Sequence, residues 1–279
     1  MIDALRRNWS HYLMEGLGLA LFMLSAACFT TLIEHPASPV RTGLPDPTLR
    51  RVVMGVAMGL TAVGLIYSPW GRRSGAHLNP SVTLAFLRLG RVAPWDGAFY
   101  VLAQAAGGIA GMGVAASALG PKLADPAVHY VVTEPGPWGV LPAFGAEAAI
   151  SFVLMLTVLN VSSAPRLTHL TGVFAGALVA LWISIEAPVS GMSMNPARSL
   201  ASAVIAHRGR SLWLYFVAPS LGMLAATELF QRAWLRAHPA DGRQVEHRLS
   251  CAKLHHPQGV RCIFCEHRAR RDPLARSHS

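Results

Sequence analysis

The sequence predicts an all-α membrane protein with six transmembrane helices and two re-entrant half-helices in an inverted repeat. Three observations carry this. First, the 279-residue chain is 52% hydrophobic and only 14% charged, with a mean hydropathy of +0.38, whereas ordinary soluble domains carry about 25% charged residues. Second, six apolar segments have membrane-spanning character. Third, the stretch Ser190-Gly191-Met192-Ser193-Met194-Asn195-Pro196-Ala197-Arg198-Ser199 has an earlier twin, Ser74-Gly75-Ala76-His77-Leu78-Asn79-Pro80-Ser81-Val82-Thr83, whose Asn lies 195 − 79 = 116 residues before it.

Taken in order, Met1 to Asn8 is a short polar start with Arg6 and Arg7. An apolar span runs from Trp9 to about Ile33 with one acid, Glu15. Glu34 to Arg51 holds four prolines and reads as a loop. A second span, about Val52 to Tyr67, is rich in Gly and Ala, as close helix packing in lipid requires. The third span covers about Trp95 to Leu119, and a proline-rich loop follows to Trp138. A fourth span, about Gly139 to Val161, again has an acid near its start, Glu147. The fifth runs from about Leu167 to Ile185 and the sixth from about Leu212 to Leu235.

Each twin motif marks a helix start. Asn is a good N-cap and Pro suits the first helical position. The helices that follow are short, about Asn79 to Leu89 and Asn195 to Ala206. Ten residues give roughly 15 Å, half a bilayer core. Each half of the chain, about residues 9–119 and 139–236, therefore holds three spans and one half-helix, with Glu15 and Glu147 in corresponding places. Three is odd, so the second copy enters the membrane from the opposite side. Inverted repeats with broken helices put the functional site at the midplane, where the half-helix N-termini meet.

The net charge of +10 does not point to nucleic acid. Eight Lys/Arg lie after residue 240 (Arg243, Arg248, Lys253, Arg261, Arg268, Arg270, Arg271 and Arg276), and others sit in short loops. With both termini inside, seven loop and N-terminal basic residues are cytoplasmic and six are outside; the basic tail favours cytoplasmic termini. Three of the four cysteines, Cys251, Cys262 and Cys265, fall in the tail and the fourth, Cys28, in the first span. That distribution argues against a secreted disulfide framework. No cleavable signal peptide is expected, because the first apolar span is too long.

The paired motifs Asn79-Pro80-Ser81 and Asn195-Pro196-Ala197, in the contexts S-G-A-H-L-N-P and N-P-A-R-S, resemble the signature of the major intrinsic proteins, the aquaporins and aquaglyceroporins. The resemblance covers about residues 9 to 236 and departs from the common form at Ser81, where Ala is usual. It implies a passive channel for water and small neutral solutes such as glycerol that excludes ions and protons, and no enzyme. It also implies no cofactor for transport, a homotetramer in the lipid bilayer of a cell or inner membrane, and cytoplasmic termini. Residues 1–236 would be the channel domain and 237–279 a basic, Cys/His-containing cytoplasmic tail.

The resemblance assigns roles residue by residue. Asn79 and Asn195 would donate to a passing hydroxyl or water, and the two half-helix dipoles would repel cations. Arg198 resembles the arginine of the family's aromatic/arginine filter; a membrane-embedded arginine is costly and by default functional. Counting back from each Asn along the family pattern places the other filter positions at Gly59 (or Leu60), Ile183 and Met192. These small and apolar residues suggest a wide, greasy constriction. Against that, Ser199, Ala203, Tyr215 and Phe216 resemble the water-channel pattern. Glu15, Glu147 and His77 are expected to hold re-entrant backbone, which needs partners at that depth.

A secondary transporter is the rival class, since it too uses inverted repeats, but it needs intramembrane ionisable groups to couple ions. The tail reads in three ways. Cys251, Cys262, Cys265 and His255 or His256 have the number and spacing for one zinc ion. The same residues are also compatible with a basic tail whose cysteines are incidental, or with one that binds anionic lipid.

Overall fold

The computed structural model describes residues 1–237 and 262–271. Their main helices are α1 (Ile2–Glu34), α2 (Pro47–Tyr67), α3 (Pro80–Arg88), α4 (Pro94–Leu119), α5 (Val140–Ser163), α6 (Thr171–Ile185), α7 (Pro196–Ile205), α8 (Leu212–Ala237) and α9 (Ile263–Arg271). Among the described residues, six helices are long and apolar enough to cross a membrane: α1, α2, α4, α5, α6 with its preceding turn, and α8. The half-helices α3 and α7 have 9 and 10 residues, as short as expected.

Three boundaries differ from the sequence expectation. Helix α1 begins at Ile2 and not Trp9. Arg6 and Arg7 end the apolar run but not the helix, and Ala4 and Asn8 are buried beyond it. Helix α2 begins at Pro47 and not Val52, because Asp46 caps it by accepting from the Thr48 N–H at 2.7 Å and Pro47 suits the first position. In the tail, residues 263–271 form helix α9.

The packing repeats across the two halves. Helix α1 lies mainly against α4, α5 against α8, and α2 against α6. The half-helices cross over: α7 packs on α4 of the first half and α3 on α8 of the second. Small residues permit the closest approaches. A Cβ added at Gly107 would stand 2.0 Å from the Gly16 carbonyl oxygen, and one at Gly222 would stand 2.1 Å from that of Ala148. Apolar side chains such as Val56, Leu60 and Leu141 point outward, as a lipid-facing surface requires. The largest buried cluster joins Tyr12, Phe86 and Tyr100 of the first half to Ile150, Met155 and Met194 of the second.

Candidate functional site

Each twin motif is entered through a short helix, Pro69–Ser74 or Ala187–Ser190. The Ser-Gly pair closes it: Gly75 and Gly191 are left-handed C-caps at φ +88° and +81°. The following residues alternate. Ala76 and Leu78 have φ of +45° and +49°, and their counterparts Met192 and Met194 have +48° and +53°. Such angles are uncommon for residues with a side chain and cost of order 1–3 kcal/mol each. They persist because the surrounding hydrogen bonds dictate them.

Those bonds come from the two membrane acids, both fully buried. Glu15 accepts from the Ser74 hydroxyl (2.7 Å), the His77 N–H (3.0 Å), the Leu78 N–H (2.6 Å) and the Gln104 amide (2.8 Å). Glu147 accepts from the Ser190 hydroxyl (2.8 Å), the Ser193 N–H (2.6 Å) and the Met194 N–H (2.8 Å). Tyr100 and Tyr215 complete the pattern by donating to the Ser74 and Ser190 carbonyls at 2.6 and 2.5 Å. Sequence reasoning misses Tyr100 and Gln104 and the loop-holding role of Tyr215, Ser74 and Ser190, which carry no charge to mark it.

The loops deliver Asn79 and Asn195 to one place. Each side-chain oxygen caps its own half-helix: Asn79 accepts from the Ser81 N–H at 2.8 Å, and Asn195 from the Ala197 and Arg198 N–H groups at 3.1 and 3.2 Å. Each side-chain amide also crosses to the opposite loop. Asn79 donates to the Met194 carbonyl and Asn195 to the Leu78 carbonyl, both at 2.7 Å. An amide nitrogen has two hydrogens, so one on each Asn remains for a solute. Pro80 and Pro196 hold the first helical positions.

Both asparagines line a cavity of about 320 Å³. Arg198, Ile183, Met192, His77, Met58 and Met194 line it too, and most of its remaining wall is aliphatic. The Arg198 Nη1 lies buried with no hydrogen-bond partner among the described residues, so the guanidinium keeps a donor for whatever occupies the cavity. His77 sits with Nδ1 3.0 Å from the Thr83 hydroxyl and its ring stacked on Phe86 at 5.1 Å.

Three expected positions, Gly59, Ser81 and Ala197, fall elsewhere. Gly59 is not on the cavity wall; a Cβ there would stand 2.6 Å from the Gly176 carbonyl oxygen of α6. The wall takes Met54, Met58, Ala62 and Ile66 from α2, a stripe at helical spacing. Ungapped counting therefore lands one residue off, on the face where glycine lets two helices touch. The alternative, Leu60, is 66% exposed on the outside. The Ser81 hydroxyl lies 3.0 Å from that of Ser220 on α8 and does not line the cavity, while Ala197 is buried in the packing against α4.

Of the proposed zinc ligands, Cys251 and His255 lie outside the described residues. Cys262 and Cys265 bring their sulfurs to 3.6 Å. Cys265 is disulfide-bonded, so it can serve a metal as a thiolate only after reduction. Burial pushes the Cys262 thiol above its ordinary value. Among the described residues, no three His, Cys, Asp or Glu side chains are placed to hold a metal ion.

Comparison with known proteins agrees with this geometry. The sequence profile of the major intrinsic protein family matches residues 5–230. "Probable aquaporin NIP7-1" of Arabidopsis thaliana is 37% identical over 66% of the chain and 65% of its own length. "Aquaporin NIP1-3" of Oryza sativa subsp. japonica is 37% identical over 73% of the chain and 67% of its own. "Aquaporin NIP2-3" of Zea mays is 34% identical over 80% and 72%. The chain thus spans about two thirds of the length of the first two relatives. The X-ray structure of the aquaglyceroporin from Plasmodium falciparum superposes with a TM-score of 0.66 over 82% of the chain and 97% of that structure, at 18% identity, a likeness of fold. With crossed asparagines at the junction of two half-helices and a family profile over most of its length, the chain belongs to the major intrinsic protein family.

Proposed function

We propose that the protein is a passive transmembrane channel for water and small neutral solutes such as glycerol, excluding ions and protons. The observation that carries this is the convergence of both half-helix N-termini, both motif asparagines and Arg198 on one cavity whose wall is mostly aliphatic. Two positive dipole ends and a guanidinium oppose cations, the electrostatic logic known for aquaporin pores in general. Neutral hydroxyls find donors at Asn79, Asn195 and Arg198. The filter is formed by Ile183, Met192 and Arg198, with Met58 supplying the α2 wall in place of Gly59. All but the arginine are apolar, which suits a carbon backbone beside the hydroxyls.

Ion-coupled transport is the weaker reading. Glu15 and Glu147, the acids it would need, are committed to loop backbone and neighbouring side chains. No catalytic set is expected of a channel, and transport needs no cofactor. Residues 1–236 form the channel domain, built from two inverted repeats, and the chain works as a homotetramer in a cell or inner membrane with both termini cytoplasmic. The tail zinc reading applies to the reduced chain. Its support is the 3.6 Å between Cys262 and Cys265 sulfurs, near the spacing of two thiolates on one tetrahedral zinc with bonds of about 2.3 Å.

Stopped-flow light scattering of proteoliposomes tests the function. Swelling with water and, more slowly, with glycerol is expected. Water flux without glycerol or urea flux would remove the wide-filter part, and solute flux that follows a proton gradient would favour the transporter.

A further inference from the structure

The helix after the sixth span is seated on the membrane domain. Cys262, Ile263 and Phe264 are buried, the first two completely. The Phe264 ring lies 5.0 Å from Phe86 of half-helix α3 and 5.5 Å from His77 of the first re-entrant loop. It also rests on Gly75, where a Cβ would stand 2.8 Å from the ring. A side chain at Gly75 would therefore both strain the left-handed cap and evict the phenylalanine.

Polar contacts fix the rest of α9. Arg270 donates to Asp96 at 3.1 Å. Asp96 is fully buried at the start of α4, and its other oxygen accepts from the Asn8 amide (2.9 Å) and the Tyr12 hydroxyl (2.6 Å). Glu266 stands 3.9 Å from the buried His11 ring, and His267 lies 3.2 Å from the Gly90 carbonyl just past α3. The receptor for α9 is thus assembled from α1, the first loop, α3 and α4. A buried carboxylate is costly unless paired, and Arg270 is its cationic partner.

We propose that this groove is a docking site whose ligand is the chain's own segment 262–271, and that the docked helix buttresses the loop carrying Asn79. The functional half of this proposal rests on the channel reading. Phe264 touches His77, a residue of the cavity wall, yet among the described residues none of α9 lines the cavity. The helix stands behind the loop, where it supports the conducting geometry and does not obstruct the path. Undocking therefore lowers conduction. A plug would do the opposite.

The test uses the full chain in proteoliposomes, with water permeability per protein and hydrogen exchange of residues 74–78 measured on the same samples. Phe264→Ala should give a several-fold fall in permeability and at least about tenfold faster exchange of the loop amides, since deleting a buried phenyl weakens local closure by more than that factor. Phe264→Leu should restore most of both. Arg270→Gln, which leaves the apolar anchor in place, should produce the same changes in smaller measure and covers the case in which Phe264→Ala does not fold. A rise in permeability in either variant would make the helix a plug and overturn the proposal. So would unchanged exchange at residues 74–78 in folded variants. Wild-type liposomes that conduct no water would instead strike the channel reading, while the exchange result would still decide the docking.

Discussion

Replacing Glu147 by Gln changes one atom and should disable the second re-entrant loop. The carboxylate accepts from the Ser190 hydroxyl and Ser193 N–H on one oxygen and from the Met194 N–H on the other. The amide oxygen can take the first site and keep two bonds. The NH₂ must then face the Met194 N–H, donor against donor, at a distance of 2.8 Å. A lost charge-assisted bond is about 1.5–3 kcal/mol, and a buried N–H without an acceptor about 1–3 kcal/mol. Together they predict roughly 2.5–6 kcal/mol, or a fall in Tm of about 5–24 °C. Water permeability should fall with it, because Met194 also supplies the carbonyl that positions Asn79. Glu15→Gln should cost about the same despite its extra partner. Gln104 has an oxygen without a hydrogen-bond partner among the described residues, and a half-turn of its amide would meet the new NH₂. Thermal unfolding in detergent and stopped-flow swelling read both variants. A Glu147→Gln protein with wild-type Tm and wild-type flux would refute the assignment of Glu147 as the support of the loop.

Arg198→Ala should widen the filter and raise proton and cation leak in liposomes, because it removes the guanidinium that lines the cavity beside Asn195; unchanged leak and unchanged solute selection would end its filter role. Ile183→His should cut glycerol flux more than water flux, by narrowing the cavity at that wall, and equal loss of both would count against that position. Mercurials should inhibit weakly: Cys28 is exposed on α1 and does not line the cavity, so strong inhibition abolished by Cys28→Ser would contradict its placement. The full-length chain under reducing conditions should take up one zinc ion and lose it on Cys262→Ser; no stoichiometric uptake at micromolar zinc would leave the tail without a metal.

What the sequence reveals, and what it hides, follows from the kind of signal each feature leaves. Asn79 and Asn195 are legible because an N-cap followed by Pro fixes a helix start locally, and twin contexts exclude coincidence. Glu15 and Glu147 are legible because a lone acid in an apolar span demands a partner. Met58 is not, since nearly every residue of α2 around it is apolar or small and only the packing of Gly59 on α6 decides which face meets the cavity. Ser81 reads only as a departure from the usual Ala until the third dimension supplies Ser220. Helix α9 is hidden by composition: its basic and polar residues look solvated, and the apolar anchor is confined to its first turn, at Ile263 and Phe264.

The crossed asparagines also set a schedule for biogenesis. The Asn79 amide is satisfied by a carbonyl 115 residues further on, and the Leu78 carbonyl by an amide 117 residues further on. Until the second half has entered the bilayer, the first loop therefore holds a polar side chain and a backbone group that lipid cannot satisfy. Contacts of such long sequence separation form late and slowly. A nascent chain halted after the third span should thus carry an unfinished loop, kept wet or shielded by the insertion machinery. The two halves become a pore in a single final step, when each asparagine finds the other's loop.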